Sequence, residues 1–303
     1  MFDKPMGGTE LMYNELMRRL PEEYRNKYSI FNYIGNADFE KPTIYWNQLS
    51  YDQQAVQWLS DPKNVEAIDH FVFISHWQSE YYRKLFNIPG YKTSIIKNAC
   101  IGVEPRKSGE REIVRLCYTS TPFRGLDVLL EAWDKLKPKD CELHVFSSCN
   151  IYGEDYAATE DPKYTDLYNI CLNTEGIVYR GSIPNEELRK ELSTFDILAY
   201  PCTFEETSCI AVIEALSAGL KVVTSNIGAL PETTEGWATI YPYLMDKNKH
   251  AEVFASILEK EIEAVRKGMH LEEQVKTYAP RWNWDNRINQ WIDYLDTLVP
   301  KEH

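Results

Sequence analysis

The chain has 303 residues, 44% hydrophobic and 13% aromatic, enough for one large or two ordinary domains with substantial cores. A formal net charge of −13 and a pI near 5.0 argue against a generic nucleic-acid coat or a binder of anionic membranes, both of which call for a basic surface. No segment approaches the ~18 consecutive apolar residues of a membrane span, and the start, Met1-Phe-Asp-Lys-Pro-Met6, does not read as a signal peptide. The seven cysteines are scattered without a Cys-x-x-Cys pair and the six histidines lack ligand spacing, which points to reduced thiols in a cytoplasmic protein and no metal site.

In chain order, Met6-Gly7-Gly8-Thr9-Glu10 comes first. Thr9 is placed to cap a helix running to about Leu20, with Leu11, Met12, Leu16 and Leu20 on its apolar side. A Gly pair at a helix start lets the backbone approach a ligand closely. Strands are predicted at residues 28–34 and 43–46, a helix near 52–59, a strand at 71–75, a helix at 77–86 and a strand at 93–97. This alternation implies a parallel sheet with helices on its faces. Residues 104–111, polar and carrying Pro105 and Gly109, read as a linker. Beyond it the alternation restarts with a strand at 113–118, the loop Thr119-Ser120-Thr121-Pro122-Phe123-Arg124-Gly125, and a helix at 126–136. Hydroxyls followed by an arginine at the carboxyl end of a strand suit a phosphate, although an ordinary turn with a surface arginine fits the same letters. A strand at 142–147 follows, and then residues 150–163, which are polar, Tyr-rich and read as an irregular surface insertion. A strand at 177–180 leads through Gly181-Ser182-Ile183-Pro184 into a helix at 185–193.

The next stretch dominates the rest. Residues 196–200 form a short apolar strand closed by Pro201, residues 220–224 form another, and the helix between them can end on Gly219 in the left-handed conformation. Parallel strands joined by a helix need a right-handed crossover, so Glu205 and Glu206 fall at the carboxyl end of the first strand, where open α/β sheets bind ligands. Glu206 stands beside the N–H groups of Thr207, Ser208 and Cys209, an environment that favours an anion such as phosphate. Glu214 sits among Ala211, Val212, Ile213, Ala215 and Leu216, where a carboxylate is costly unless hydrogen-bond donors meet it, and ligand hydroxyls would serve. On these residues alone, Glu206 as a simple cap and Glu214 as the partner of a structural cation remain open. Residues 246–267 read as one or two helices, and the last helix, 282–295, places Trp284, Ile288, Trp291, Ile292 and Leu295 on one face.

Glu206 and Glu214 enclose seven residues within a strand–loop–helix–Gly frame. This resembles the Glu-x7-Glu signature of retaining glycosyltransferases with the GT-B fold, in the large sucrose-synthase/mannosyltransferase-like family (glycosyl transferases group 1, family 4-like). The segments around Ser75, Asn98 to Val103 and Gly228 to Glu232 resemble further parts of that pattern. The resemblance implies an α/β protein of two Rossmann-like domains facing across a cleft, with a C-terminal helix crossing back. Residues 1–105 would form the acceptor-side domain without its usual first strand, 106–281 the nucleotide-sugar domain and 282–303 the returning helix.

Carried over by motif, Glu206 would hold hydroxyls of the donor sugar and Glu214 the ribose, with amides of Thr207, Ser208 and Cys209 touching sugar and phosphates. The Gly7–Gly8 backbone, Thr119, Ser120, Thr121 and Arg124 would grip the diphosphate, and backbone groups at Ser182 and Ile183 would read the base. Glu206 and Arg124 would carry the catalytic step. The implied reaction is metal-independent hexosyl transfer with retention, from a UDP- or GDP-linked sugar to a glycan, lipid-linked or small-molecule acceptor. It implies no further cofactor, no nucleic-acid partner and at most peripheral membrane contact. Three departures stand out: Cys209 where many members have Gly, Thr119 where an Arg precedes the Lys-Gly matched by Arg124-Gly125, and Asn47-Gln48 where a His is common. A catalytically impaired nucleotide-sugar binder and a transferase acting on modified DNA bases stay open as alternatives. A dinucleotide oxidoreductase is disfavoured, because no Gly-x-Gly-x-x-Gly follows a strand.

Overall fold

The computed structural model describes residues 6–107, 109–268 and 271–298. Helices α1 (Gly8–Arg19) and α2 (Glu22–Lys27) lead into four strands, β1 (Ser29–Phe31), β2 (Thr43–Asn47), β3 (His70–Phe73) and β4 (Thr93–Ile95), with α3 (Pro62–Ala67) and α4 (His76–Leu85) among them. Every neighbouring pair is parallel, in the order β1-β2-β3-β4. The expected absence of a strand ahead of Gly7 concerns residues 1–5, which lie outside the described residues.

The second sheet is built from β5 (Val114–Thr119), α5 (Leu126–Leu136), β6 (Cys141–Phe146), α6 (Glu154–Glu160), α7 (Thr165–Asn173), β7 (Ile177–Tyr179), α8 (Asn185–Leu192) and β8 (Ile197–Tyr200). It continues with α9 (Ile210–Ser217), β9 (Lys221–Ser225), α10 (Leu230–Thr234), β10 (Thr239–Tyr241), α11 (Lys247–Arg266), α12 (Glu272–Arg281) and α13 (Trp284–Thr297). Its six parallel strands run β7-β6-β5-β8-β9-β10, the doubly wound order in which the chain reverses direction between β5 and β8. The central strand β8 is buried along its whole length, as a parallel strand covered on both faces must be, and this explains its unbroken apolar run. None of the described helices is long and apolar enough to cross a membrane.

Three apolar cores result. One fills the second sheet and its helices. A second joins one face of the first sheet to α1 and α13, and a third covers that sheet's other face. The predicted face of the last helix holds: Trp284, Trp291 and Leu295 are buried, each such burial contributing about 2 kcal/mol, and Ile288 and Ile292 pack beside them. The helix lies on the first sheet, where Trp291 meets Trp46 edge-on at 5.2 Å and the Tyr28 hydroxyl donates to the Leu295 carbonyl at 2.8 Å. Trp282 belongs to the second sheet's core and Trp284 to the first sheet's, so the chain passes between them at Asn283. There it runs beside the outgoing connection, with the Cys100 N–H donating to the Trp282 carbonyl at 2.7 Å and a parallel bridge from Cys100 to Asn283.

The linker is fastened to the second sheet rather than loose. Buried Asp196 accepts from Arg106 at 2.5 Å, from Arg111 at 2.9 Å and from the Arg115 N–H at 2.9 Å.

Several expectations need correction. Thr9 does not cap α1, whose N-cap is Gly7 with no side-chain cap. The helix expected near residues 52–59 is a 3-10 segment, Gln54–Ser60. The insertion expected to be irregular is helical, comprising a 3-10 turn at Cys149–Tyr152, then α6, a second 3-10 turn at Asp161–Tyr164, and α7. Helix α6 buries no residue, so it leaves no apolar stripe for sequence periodicity to detect.

Candidate active site

A cavity of about 1120 Å³ opens between the two sheets. The segments that follow the carboxyl ends of β1 to β8 all contribute to it, through residues such as Asn32, Gln48, Ile74, Asn98, Thr119, Ser148, Ser182 and Phe204. Of the residues singled out by sequence, Gly8, Thr119, Ser120, Arg124, Ser182, Ile183, Glu206, Thr207, Ser208, Cys209 and Glu214 line it. Gly7 and Thr121 do not. Gly7 is buried just behind Gly8, and Thr121 is fully buried, its carbonyl accepting from the Tyr118 hydroxyl at 2.7 Å.

Arg124 and Glu206 are 82 positions apart in sequence yet form an ion pair at 2.7 Å. They meet because their loops follow β5 and β8, the two strands at the reversal of strand order. Gly125 allows the approach. Its φ is +114°, and a Cβ there would lie 2.1 Å from the Pro201 carbonyl oxygen, a contact no side chain tolerates. The Arg124 guanidinium lies over the Phe204 ring at 4.5 Å, and its second terminal nitrogen donates to the Tyr152 hydroxyl at 3.0 Å. Burial alone would lower the Arg124 pKa, but the Glu206 carboxylate more than offsets this and keeps it charged. Glu206 also accepts from the Tyr200 hydroxyl at 2.5 Å. It is therefore not a helix cap: α9 starts at Ile210, its N-cap is Cys209, and no side chain caps it.

Glu214 is 7% exposed and opens onto the same cavity from within α9. Its nearest cation is Arg189 of α8, at 3.8 Å, beyond hydrogen-bond length. The Ser182 and Ser208 hydroxyls are buried and have no partner among the described residues. Buried polar groups are normally satisfied, so a polar ligand is the natural partner for this set.

Burial pushes the Glu214 carboxyl up from its ordinary 4.5 to about 7, with Arg189 pulling the other way. An acid with a raised folded-state pKa holds more protons folded than unfolded. It therefore costs stability as pH rises from about 4.5 to about 7, and the cost is constant above that. Glu214→Gln is expected to be nearly neutral at pH 4.5 and to gain up to about 3 kcal/mol at pH 8, as read from denaturant unfolding at the two pH values. An equal effect at both would show that Glu214 titrates normally.

The cavity wall built by the first sheet holds an amide pair, with Gln48 donating to Asn98 at 3.1 Å and Asn98 donating back at 3.0 Å. Hydrogen bonds tie the two sides of the cleft. Thr207 donates to the Gln48 carbonyl at 2.9 Å, the Tyr51 hydroxyl donates to Glu205 at 3.0 Å, and the Met6 N–H donates to Asn185 at 2.9 Å. His76 is exposed, and its backbone N–H donates to Glu232 at 2.8 Å.

Residues 112–262 match the family model described as Glycosyl transferases group 1. The chain belongs to the group 1 glycosyltransferases of the GT-B fold. Among curated relatives, it is 25% identical over 143 residues to the phosphatidylinositol N-acetylglucosaminyltransferase GPI3 subunit of Saccharomyces cerevisiae, covering 46% of this chain and 29% of that one. It is 24% identical over 194 residues to the GDP-mannose-dependent alpha-(1-6)-phosphatidylinositol monomannoside mannosyltransferase of Mycobacterium tuberculosis, covering 62% of this chain and 48% of that one. The chain thus spans less than half the length of either relative. Among solved structures, a glycosyltransferase from Rickettsia africae superposes with a TM-score of 0.67 at 14% identity, over 98% of this chain and 83% of that one. Anabaena Alr3699/HepE in complex with UDP and glucose superposes with a TM-score of 0.65 at 15% identity, over 98% and 85%. These likenesses show the fold.

Within this GT-B cleft, sequence reasoning missed Tyr152 and Tyr200, the two phenols on the Arg124–Glu206 pair. Tyr200 was legible only as the last residue of an apolar strand. Tyr152 lay in the segment read as irregular.

Proposed function

We propose that this group 1 GT-B protein is a metal-independent transferase that moves a hexosyl group from a UDP- or GDP-linked sugar to a glycan, lipid-linked or small-molecule acceptor, with retention of configuration. The observation that carries this reading is that two buried carboxylates, Glu206 and Glu214, and the Arg124 guanidinium open onto one cavity where the strand order reverses. Glu214 accepts hydrogen bonds from the ribose. Glu206 takes hydroxyls of the donor sugar, and the base lies against the Ser182–Ile183 backbone. Arg124, the amides of Ser120, Thr207, Ser208 and Cys209, and the first-turn N–H groups of α1 hold the diphosphate. Those N–H groups precede Leu11, the first to donate back within the helix, and are free to meet an anion. Donors fixed in place before the bond breaks stabilise the charge that develops on the leaving diphosphate. With Asn47-Gln48 at the end of β2 where a histidine is common, the leaving phosphate oxygen itself takes the acceptor's proton on the same face.

A catalytically impaired nucleotide-sugar binder of the same fold is the second reading. Uncharged Thr119, beside a single cation already paired with Glu206, favours it. A transfer or hydrolysis assay separates the two.

Binding to the native state raises stability by mass action, about 2.7 kcal/mol at a ligand concentration of 100 Kd. For a chain of this size that is a midpoint rise of roughly 4 °C. Thermal unfolding with UDP-, GDP- and ADP-sugars is expected to show such a rise for a UDP- or GDP-linked donor. No shift with any of them removes the donor-site reading.

A further inference from the structure

Arg124 is the only lysine or arginine among the described residues lining the cavity, and Glu206 offsets its charge at 2.7 Å. A diphosphate carries more negative charge than this one offset cation meets, so the neutral donors around Arg124 matter. Tyr152 is placed to be one. Its hydroxyl accepts from Arg124 at 3.0 Å, which leaves its own proton to give. A hydroxyl that accepts from a cation is polarised into a stronger donor. Burial foremost raises its pKa, against the pull of Arg124, so it remains a neutral O–H at physiological pH.

The position is built rather than accidental. Tyr152 ends the 3-10 turn that follows Ser148, and Asp161 holds that turn by accepting from the Ser148 hydroxyl at 2.7 Å, the Cys149 N–H at 2.8 Å and the Tyr168 hydroxyl at 2.6 Å. The Tyr152 ring lies against the start of α1: a Cβ at Gly7 would come within 3.3 Å of two ring carbons. The phenol therefore stands between the two groups assigned to the diphosphate, the N-terminus of α1 and the Arg124 guanidinium.

We propose that the Tyr152 hydroxyl is a phosphate ligand of the donor site, donating to a diphosphate oxygen where a second cation is lacking. This rests on the donor-site reading above. Calorimetry with UDP, GDP and the free nucleosides uridine and guanosine tests it on the wild type, Tyr152→Phe, Arg124→Ala and the double variant. Tyr152→Phe keeps the ring against Gly7 and is expected to lose about tenfold in nucleoside diphosphate affinity, with nucleoside affinity unchanged. In the Arg124→Ala background the same change is expected still to cost several-fold. If Tyr152→Phe binds the diphosphate like the wild type, or if its cost vanishes without Arg124, the phenol packs or positions and does not bind phosphate. If the wild type binds neither UDP nor GDP, the donor-site reading fails and this proposal with it.

Discussion

Arg124→Ala is expected to weaken nucleoside diphosphate binding by about a hundredfold while leaving free nucleoside affinity within about twofold. The asymmetry follows from geometry. Arg124 sits on the loop after β5, beside Thr119 and Ser120, whereas the ribose and base are assigned to α9 and the loop after β7. The substitution also leaves the buried Glu206 carboxylate with only the Tyr200 hydroxyl. Removing one partner of a buried ion pair costs about 3–5 kcal/mol, and here the lower end applies because the Arg124 side chain is 21% exposed. Adding Glu206→Gln removes the stranded charge and is expected to restore most of the stability without restoring diphosphate affinity. Calorimetry and denaturant unfolding on the single and double variants check both halves. Equal losses for nucleoside and diphosphate would mean that Arg124 only supports the fold.

The largest effect on stability is expected far from the ligand. Asp196→Ala should cost about 4 kcal/mol, a midpoint fall of roughly 6 °C, because it strands Arg106 in the interior with its charge unmet. The Arg106 side chain is 3% exposed and the Asp196 side chain 2%. The same carboxylate also accepts the Arg115 N–H at the start of β5, so an unsatisfied backbone donor adds to the loss. Combining Asp196→Ala with Arg106→Met is expected to recover part of it. A loss under about 1 kcal/mol for the single variant would show that solvent reaches Arg106 and that the linker is not anchored there.

The Glu206-to-Glu214 frame was readable from sequence because it is local. Two apolar runs, a helix between them and Gly219, whose φ is +79°, all lie within one strand–helix–strand unit. The family resemblance rests on that unit and is matched by residues 112–262. The Arg124–Glu206 pair was not readable as a pair. Its existence depends on β5 and β8 being neighbours, which sheet order decides and local patterning does not. The Tyr152 contact was hidden for a different reason: solvent-facing α6 gives no 3.6-residue signal, so the segment before it looked structureless. The apolar face of α13 was evident, but which sheet it covers became clear only from Trp291 against Trp46.

The twin passage at Cys100 and Asn283 has a mechanical outcome. Because both covalent connections between the lobes pass this one spot, it is the natural pivot for any rotation of one lobe against the other. Opening the cleft about that spot would part the contacts that cross it, Thr207 to Gln48, Tyr51 to Glu205, Met6 to Asn185 and the His76 N–H to Glu232 among them.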